Sequence, residues 1–412
     1  MRTLAHRDFR RLWISNGVSG IGSWLLVVAI PFHVFQLTGS AVATGLTLAL
    51  EALPALIVGP WAGVLLDRWN LSRAMWLADL ASAAAVALIL FADSAERVWL
   101  VYIAVLAENL AITVFRPAAR ALTPIVVGTG KELAAANALT AVSGSVIRLT
   151  APPLGALLLA GPGIEFVVAV DIASYLLSAA IIATISRRVR PEPQPGNGFS
   201  QLKQGLRYVG RSKVLRGILL ANGVFLTANA GLTALLVPFT VDRLNAPGYA
   251  VGYLISGLGV GYLLGAAISS RSLTWLGVRD LLVATQIATG CAFFALVNAP
   301  SLPSAIVATA LIGLPGSVLL ITAETTVQRI SPTELLGRIG ALFFAVDSLT
   351  VVIGALAAPA LTTLAGLPLT LNLLAAFAVL AAPVTLFAVP SHPAHLTRMK
   401  LTKGRSGSVG PE

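Results

Sequence analysis

Twelve apolar stretches follow one another along the chain, each parted from the next by a short polar turn. They centre roughly on Leu25, Pro54, Ala84, Leu110, Thr150, Leu176, Ala228, Gly257, Thr289, Leu314, Ile353 and Ala378. A helix needs about 20 apolar residues to cross the hydrocarbon core of a bilayer, and each stretch reaches that length. In lipid only helices and closed barrels satisfy their own backbone. The pattern therefore predicts an all-α integral membrane protein with twelve transmembrane helices. The first stretch is full-length and lacks an A-x-A site, so it is expected to be a span and not a cleaved signal.

Composition sharpens this picture. Mean hydropathy is +0.86 and only 11% of the 412 residues are charged. The single cysteine, Cys291, excludes an intrachain disulfide. A net charge of +11 would suit a nucleic-acid partner, but its distribution argues otherwise. An even number of spans puts both termini on one side. Twenty-five of the 28 Lys and Arg residues fall on that side, Arg97 and Arg243 fall opposite, and Arg148 lies inside a span. By the positive-inside rule the termini are expected in the cytoplasm. The basic excess is a topology signal and a contact for anionic lipid heads. Dispersed over several loops, it does not form a nucleic-acid footprint.

The longest terminal-side segment lies between the sixth and seventh spans. Pro191, Pro193 and Pro195 follow a run of arginines, and Gly196-Asn197-Gly198 comes next, a stiff and then flexible linker. From Ser200 to Arg216 an amphipathic pattern sets Leu202, Leu206 and Val209 against Lys203, Arg207 and Arg211. It is expected to lie on the membrane surface as a linker helix. The halves read as repeats. Gly63 and Gly265 close the second and eighth spans, and Glu132-Leu133 and Glu334-Leu335 precede the fifth and eleventh, both pairs offset by 202 residues. Two parallel six-helix halves follow, with a substrate path at their interface. The predicted boundaries are 1–190 for the first bundle, 191–213 for the linker, 214–390 for the second bundle and 391–412 for a cytoplasmic tail.

The strongest motif bridges spans two and three: Gly59-Pro60-Trp61-Ala62-Gly63-Val64-Leu65-Leu66-Asp67-Arg68-Trp69-Asn70-Leu71-Ser72-Arg73. It resembles the G-x-x-x-D-R-x-x-x-R loop of the major facilitator superfamily of transporters. Phe115-Arg116-Pro117-Ala118-Ala119-Arg120, Glu132 through Leu139, Asp171-Ile172-Ala173-Ser174-Tyr175 and Gln328 through Arg338 resemble the bacterial branch of enterobactin and macrolide efflux proteins. The resemblance implies the major facilitator fold of two pseudo-symmetric six-helix bundles. It also implies that Asp67, in the loop with Gly63, Arg68 and Arg73, latches the two halves; Glu334 and Arg338, at the expected start of span eleven, belong to the facing side. Ser331-Pro332-Thr333-Glu334 reads as a capping box with Pro at the first helical position. A helix N-terminus there would attract a carboxylate.

Charges inside spans are expensive and usually functional. Glu51, Glu108, Arg148 and Asp347 fall on spans that, by the resemblance, approach the central cavity, whereas Asp79 and Asp171 fall on outer ones and read as structural. Glu108 and Arg148 sit at similar depth in antiparallel neighbours, so a buried ion pair is expected. Glu51 has no basic neighbour in sequence. A carboxyl without a counter-charge in low dielectric can exchange a proton, so Glu51 or Glu108 is the expected carrier of a coupling proton. Pro152 and Pro153 with Gly155 predict a bend in span five. Gly257, Gly261 and Gly265 predict a close helix contact in span eight. His33 reads as a packed residue.

There is no phosphate loop, zinc-protease motif or nucleophile elbow, which argues against an ATPase or an enzyme, and a metal site is not expected. The reading is a secondary active transporter working by alternating access, in which proton flow drives export of a drug, siderophore or secondary metabolite. No cofactor is expected beyond the proton gradient as energy source. The expected partners are a small-molecule substrate and the lipid bilayer, and the expected state is a monomer in the bacterial inner membrane. Trp24, Phe32, Phe115, Phe225 and Phe239 are the candidate aromatic lining. A lysophospholipid transporter and a non-transporting sensor or assembly factor are the alternatives.

Overall fold

The computed structural model describes residues 2–59, 69–128, 130–185, 198–332 and 335–390. Every regular element among them is helical. The first half contains α1 (Arg7–Thr38), α2 (Ala41–Ile57), α3 (Leu71–Ala87), α4 (Val98–Val127), α5 (Lys131–Ala160) and α6 (Ile164–Ala183). A linker helix α7 (Gly198–Arg211) leads to α8 (Lys213–Ala234), α9 (Val251–Trp275), α10 (Val278–Val297), α11 (Leu302–Ile330), α12 (Leu336–Ala365), α13 (Leu367–Val379) and α14 (Ala381–Ala388). Among the described residues eleven segments are long and apolar enough to cross a bilayer, α13 and α14 together forming the last; α2 is apolar but, as described, shorter. The membrane face where α1 begins is called the terminal side below.

Local chemistry sets the helix ends. Gly39 closes α1 at φ 61° with its N–H on the Phe35 carbonyl, a left-handed cap that suits glycine. Ser40 then starts α2 by accepting from the Ala43 N–H at 3.3 Å, and Asn70 starts α3 by accepting from the Arg73 N–H at 3.1 Å. Ser212 caps α8 in the same way, its hydroxyl 3.3 Å from the Leu215 nitrogen. The amphipathic pattern therefore stops at Arg211, and Lys213 and Arg216 belong to the next span instead of the linker.

The linker helix is docked on protein. Val209 is buried in one cluster with Leu215, Ile339 and Leu342. A Cβ on Gly205 would touch the Arg338 backbone, and the Tyr208 hydroxyl lies 3.3 Å from the Ile330 carbonyl. Lys203, Leu206, Arg207 and Arg211 remain exposed. Its buried edge meets the start of α12.

Two seams join the halves. Along α2 and α12, Gly45 packs so closely that a Cβ would strike the Ala355 carbonyl and Pro359, and a Cβ on Gly59 would lie 3.6 Å from the Phe344 ring. Ala49 and Ala355 share an apolar cluster with Leu48 and Val352 between these points. This seam runs nearly the length of α2. Along α5 and α9, a Cβ on Gly252 would lie 3.0 Å from the Pro152 carbonyl oxygen and one on Gly259 would lie 2.9 Å from the Leu149 side chain. Between Asn137 and Thr150 no described α5 residue is buried, so this seam covers only the half of α5 away from the terminal side. There Val28, Ala156, Val237 and Val251 form one cluster across the halves. The terminal-side clusters each draw on one half alone. Among the described residues, α5 and α9 are thus closed on the far side and parted on the terminal side, while α2 and α12 stay together.

Within the second half, Gly257, Gly261 and Gly265 face α11, where a Cβ would strike the backbone carbonyls of Ile306, Ala310 and Leu314. This is the close helix contact that the small-residue stripe predicts.

Candidate functional site

A cavity of about 310 Å³ lies midway through the membrane between the halves. Its walls come from α1 (Ser23, Trp24, Val27), α2 (Leu48, Glu51, Ala52), α4 (Glu108, Asn109, Ile112, Arg116) and, across the seam, Val351 of α12. A smaller cavity of about 70 Å³ lies towards the far side and shares Val27, Leu48 and Glu51 with the first. Glu51 therefore borders both.

Helical periodicity explains the α4 wall. Glu108, Ile112 and Arg116 recur every four residues and share one face. Glu108 is 6% exposed and accepts a 2.7 Å hydrogen bond from the Tyr175 hydroxyl of α6. Ser23 is 2.9 Å from the same hydroxyl. Glu51 is half-buried and, among the described residues, has no hydrogen-bond partner. Arg116 opens onto the space on the terminal side of the two carboxyls.

Arg148 does not pair with Glu108. Its guanidinium carbon sits 5.1 Å from the centre of the Trp24 ring, a cation–π contact, and the residue is exposed. The expected ion pair fails because Tyr175 already holds Glu108, while α5 turns Arg148 towards α1. Arg116 is the basic residue that shares the cavity. The sequence counts it among the basic residues of the terminal side, but α4 continues through Pro117 and Pro124 to Val127 and carries it inside the span. The eight-residue spacing from Glu108, about two helical turns, was the available signal.

Other candidates fall elsewhere. Asp347 is on α12, one turn before Val351, with Oδ1 buried and without a hydrogen-bond partner. Pro152, Pro153 and Gly155 lie inside α5, which remains one helix. Gly155 packs on the Leu25 backbone. Of the proposed latch, Gly63, Asp67, Arg68 and Glu334 lie outside the described residues. Arg73 is exposed on the first turn of α3, and Arg338 donates to Gln204 of the linker helix. The capping box is corrected. Ser331 closes α11, its hydroxyl is buried without a partner, and α12 begins at Leu336 with no side-chain cap.

Of the candidate aromatic residues only Trp24 lines the cavity. Phe32 packs under Gly248, Phe225 stacks near Phe293 with ring centres 6.1 Å apart, Phe239 is buried in the second core, and Phe115 lines the terminal-side cluster of the first half. His33 is a packed residue, with Nε2 2.9 Å from the Ala92 carbonyl. Asp79 accepts from Ser178 at 2.6 Å, and Asp171 is fully buried beside Ser174.

The chain matches the family described as transmembrane secretion effector over residues 1–401. It is 26% identical to macrolide efflux protein A of Streptococcus pyogenes over 84% of this chain and 87% of that one. It is also 26% identical to the enterobactin exporter EntS of Escherichia coli, over 82% of each. In fold it is similar to the nucleoside transporter NupG, with a TM-score of 0.79, 10% identity and coverage of 93% of this chain and 100% of that one. An inward-facing bacterial homologue of ferroportin gives a TM-score of 0.74 at 13% identity, over 92% and 98%. The chain belongs to the transmembrane secretion effector family, an efflux branch of the major facilitator superfamily of membrane transporters, and it is a transporter, not an enzyme.

Proposed function

We propose that the protein is a secondary active exporter that exchanges protons for a small, amphipathic organic molecule. The observation that carries this reading is the convergence of Glu51, Glu108 and Arg116 with Trp24 in one mid-membrane cavity. The volume lies at the lower end of the range for small-molecule sites, roughly 300–1,000 Å³. Two carboxyls and the Arg116 guanidinium line the cavity, with the Arg148 guanidinium over the Trp24 ring, a mixed set that favours cargo carrying both donor and acceptor groups. Glu51 borders both cavities and has the free carboxyl, so it is the proposed proton carrier. With both termini in the cytoplasm, as the basic terminal-side loops favour, the parted state is open to the cell interior. The energy source is the proton gradient of the inner membrane, without a bound cofactor.

The test compares small molecules inside cells and in spent medium, with the gene deleted, restored, or restored as Glu51→Gln. A compound retained on deletion and released on restoration names the cargo. Glu51→Gln is expected to lower its proton-driven export about tenfold or more. Export by Glu51→Gln at the wild-type rate would remove Glu51 from the proton path. No change of any compound on deletion would overturn export of an endogenous metabolite.

A further inference from the structure

Helix α6 contributes no wall to the cavity, yet one of its side chains reaches the cavity from behind. Tyr175 is 3% exposed. Its hydroxyl donates to Glu108 Oε1 at 2.7 Å and lies 2.9 Å from Ser23 Oγ. A phenol has one proton to give, so with that proton on Glu108 the Tyr175 oxygen accepts from Ser23. Ser23 has an alternative acceptor in the Ser19 carbonyl at 3.0 Å. Tyr175 thus ties a lining residue of α1 to a lining residue of α4.

The tie is braced one turn away. Asp171 of α6 is 0% exposed and pressed against α1, where a Cβ on Gly22 would collide with Asp171 Oδ1 and Ser174 Oγ. Gly22 is the chain neighbour of Ser23, so this contact fixes the register of α6 on α1 where the hydrogen bonds form. Glu51 has no such brace, with no hydrogen-bond partner among the described residues and open space on two sides.

We propose that Tyr175 is a positioning residue that pins Glu108 and so divides the two cavity carboxyls into one fixed group and one mobile group, Glu51. The division deepens the exporter reading, in which the mobile carboxyl is the one that exchanges a proton. A fixed acceptor beside Trp24 provides a defined place for a donor group on the cargo.

The experiment is residue-resolved labelling of the purified full chain in lipid nanodiscs with N,N′-dicyclohexylcarbodiimide, read by mass spectrometry. It needs no cargo. In the wild-type protein Glu51 is expected to label faster than Glu108. Tyr175→Phe keeps the ring and removes the hydroxyl, so Glu108 is expected to label about fivefold faster, the equivalent of one neutral hydrogen bond of ~1 kcal/mol, with Glu51 unchanged. Ser23→Ala is expected to shift Glu108 in the same direction by less. Unchanged Glu108 labelling in Tyr175→Phe, or a parallel rise at both carboxyls, overturns the proposal. Because labelling does not depend on transport, its outcome stands apart from the export test of Glu51→Gln.

Discussion

Gly22 and Asp171 meet with no room for a methyl group, although one lies on an inner helix and the other on an outer one. Overpacking of this kind typically costs about 1–3 kcal/mol. Gly22→Ala is therefore expected to lower the melting temperature of the detergent-purified protein, whereas Gly17→Ala, where a Cβ meets nothing within 4 Å, leaves it unchanged. Equal melting of the two variants would show that α6 yields at this point. At this scale the sequence was half legible. Glu51 and Glu108 could be picked out because a carboxyl in a long apolar run is conspicuous. Their partners could not, since partnership depends on helix rotation. Arg148 looked like a match for Glu108 by depth alone, and its direction towards Trp24 follows from how α5 packs on α1. Tyr175 lay within a recognised motif, but only the packing of α6 on α1 and α4 gives it a task.

Helices themselves were plain from hydropathy, because each needs only its own length and apolarity. Their ends were less so. α4 runs ten residues beyond Pro117 to Val127, since a proline within a tightly packed membrane helix does not end it. The start of α12 was misplaced by trusting a local capping pattern over the turn that precedes it. Contacts written in small residues were legible, as the α9–α11 stripe demonstrates. Gly261→Leu would drive a side chain into the Ala310 carbonyl and the Gly313 backbone. It is expected to abolish accumulation of folded protein in the membrane, measured by fluorescence size-exclusion chromatography. Gly340→Leu, with open space around it, is expected to accumulate normally. A normal elution profile for Gly261→Leu would mean that α9 and α11 are not tightly held.

The whole molecule is two bundles that touch along two unequal seams. A Cβ built on Gly259 lies 3.8 Å from the Cβ of Leu149, close to the mean separation of about 3.8 Å in disulfides. The double variant Leu149→Cys, Gly259→Cys, with Cys291→Ala to remove the native thiol, is expected to form a disulfide readily and to stop transport, with recovery on reduction. Full turnover with the bond intact would show that α5 and α9 need not separate. The two-half architecture was legible from the 202-residue repeat, but the difference between the seams was not, because it concerns how the bundles lean.

That difference has a mechanical consequence. A pair of covers bound along one edge cannot rock symmetrically: its spine stays shut while its fore-edge swings. Here α2 and α12 are the spine, in contact from Gly45 at one end to Gly59 at the other. In the proposed transport cycle, closing the fore-edge of α5 and α9 would make the spine slip along itself instead of parting. Gly45 and Gly59 offer it a track without knobs, over which Ala355 and the Phe344 ring can glide.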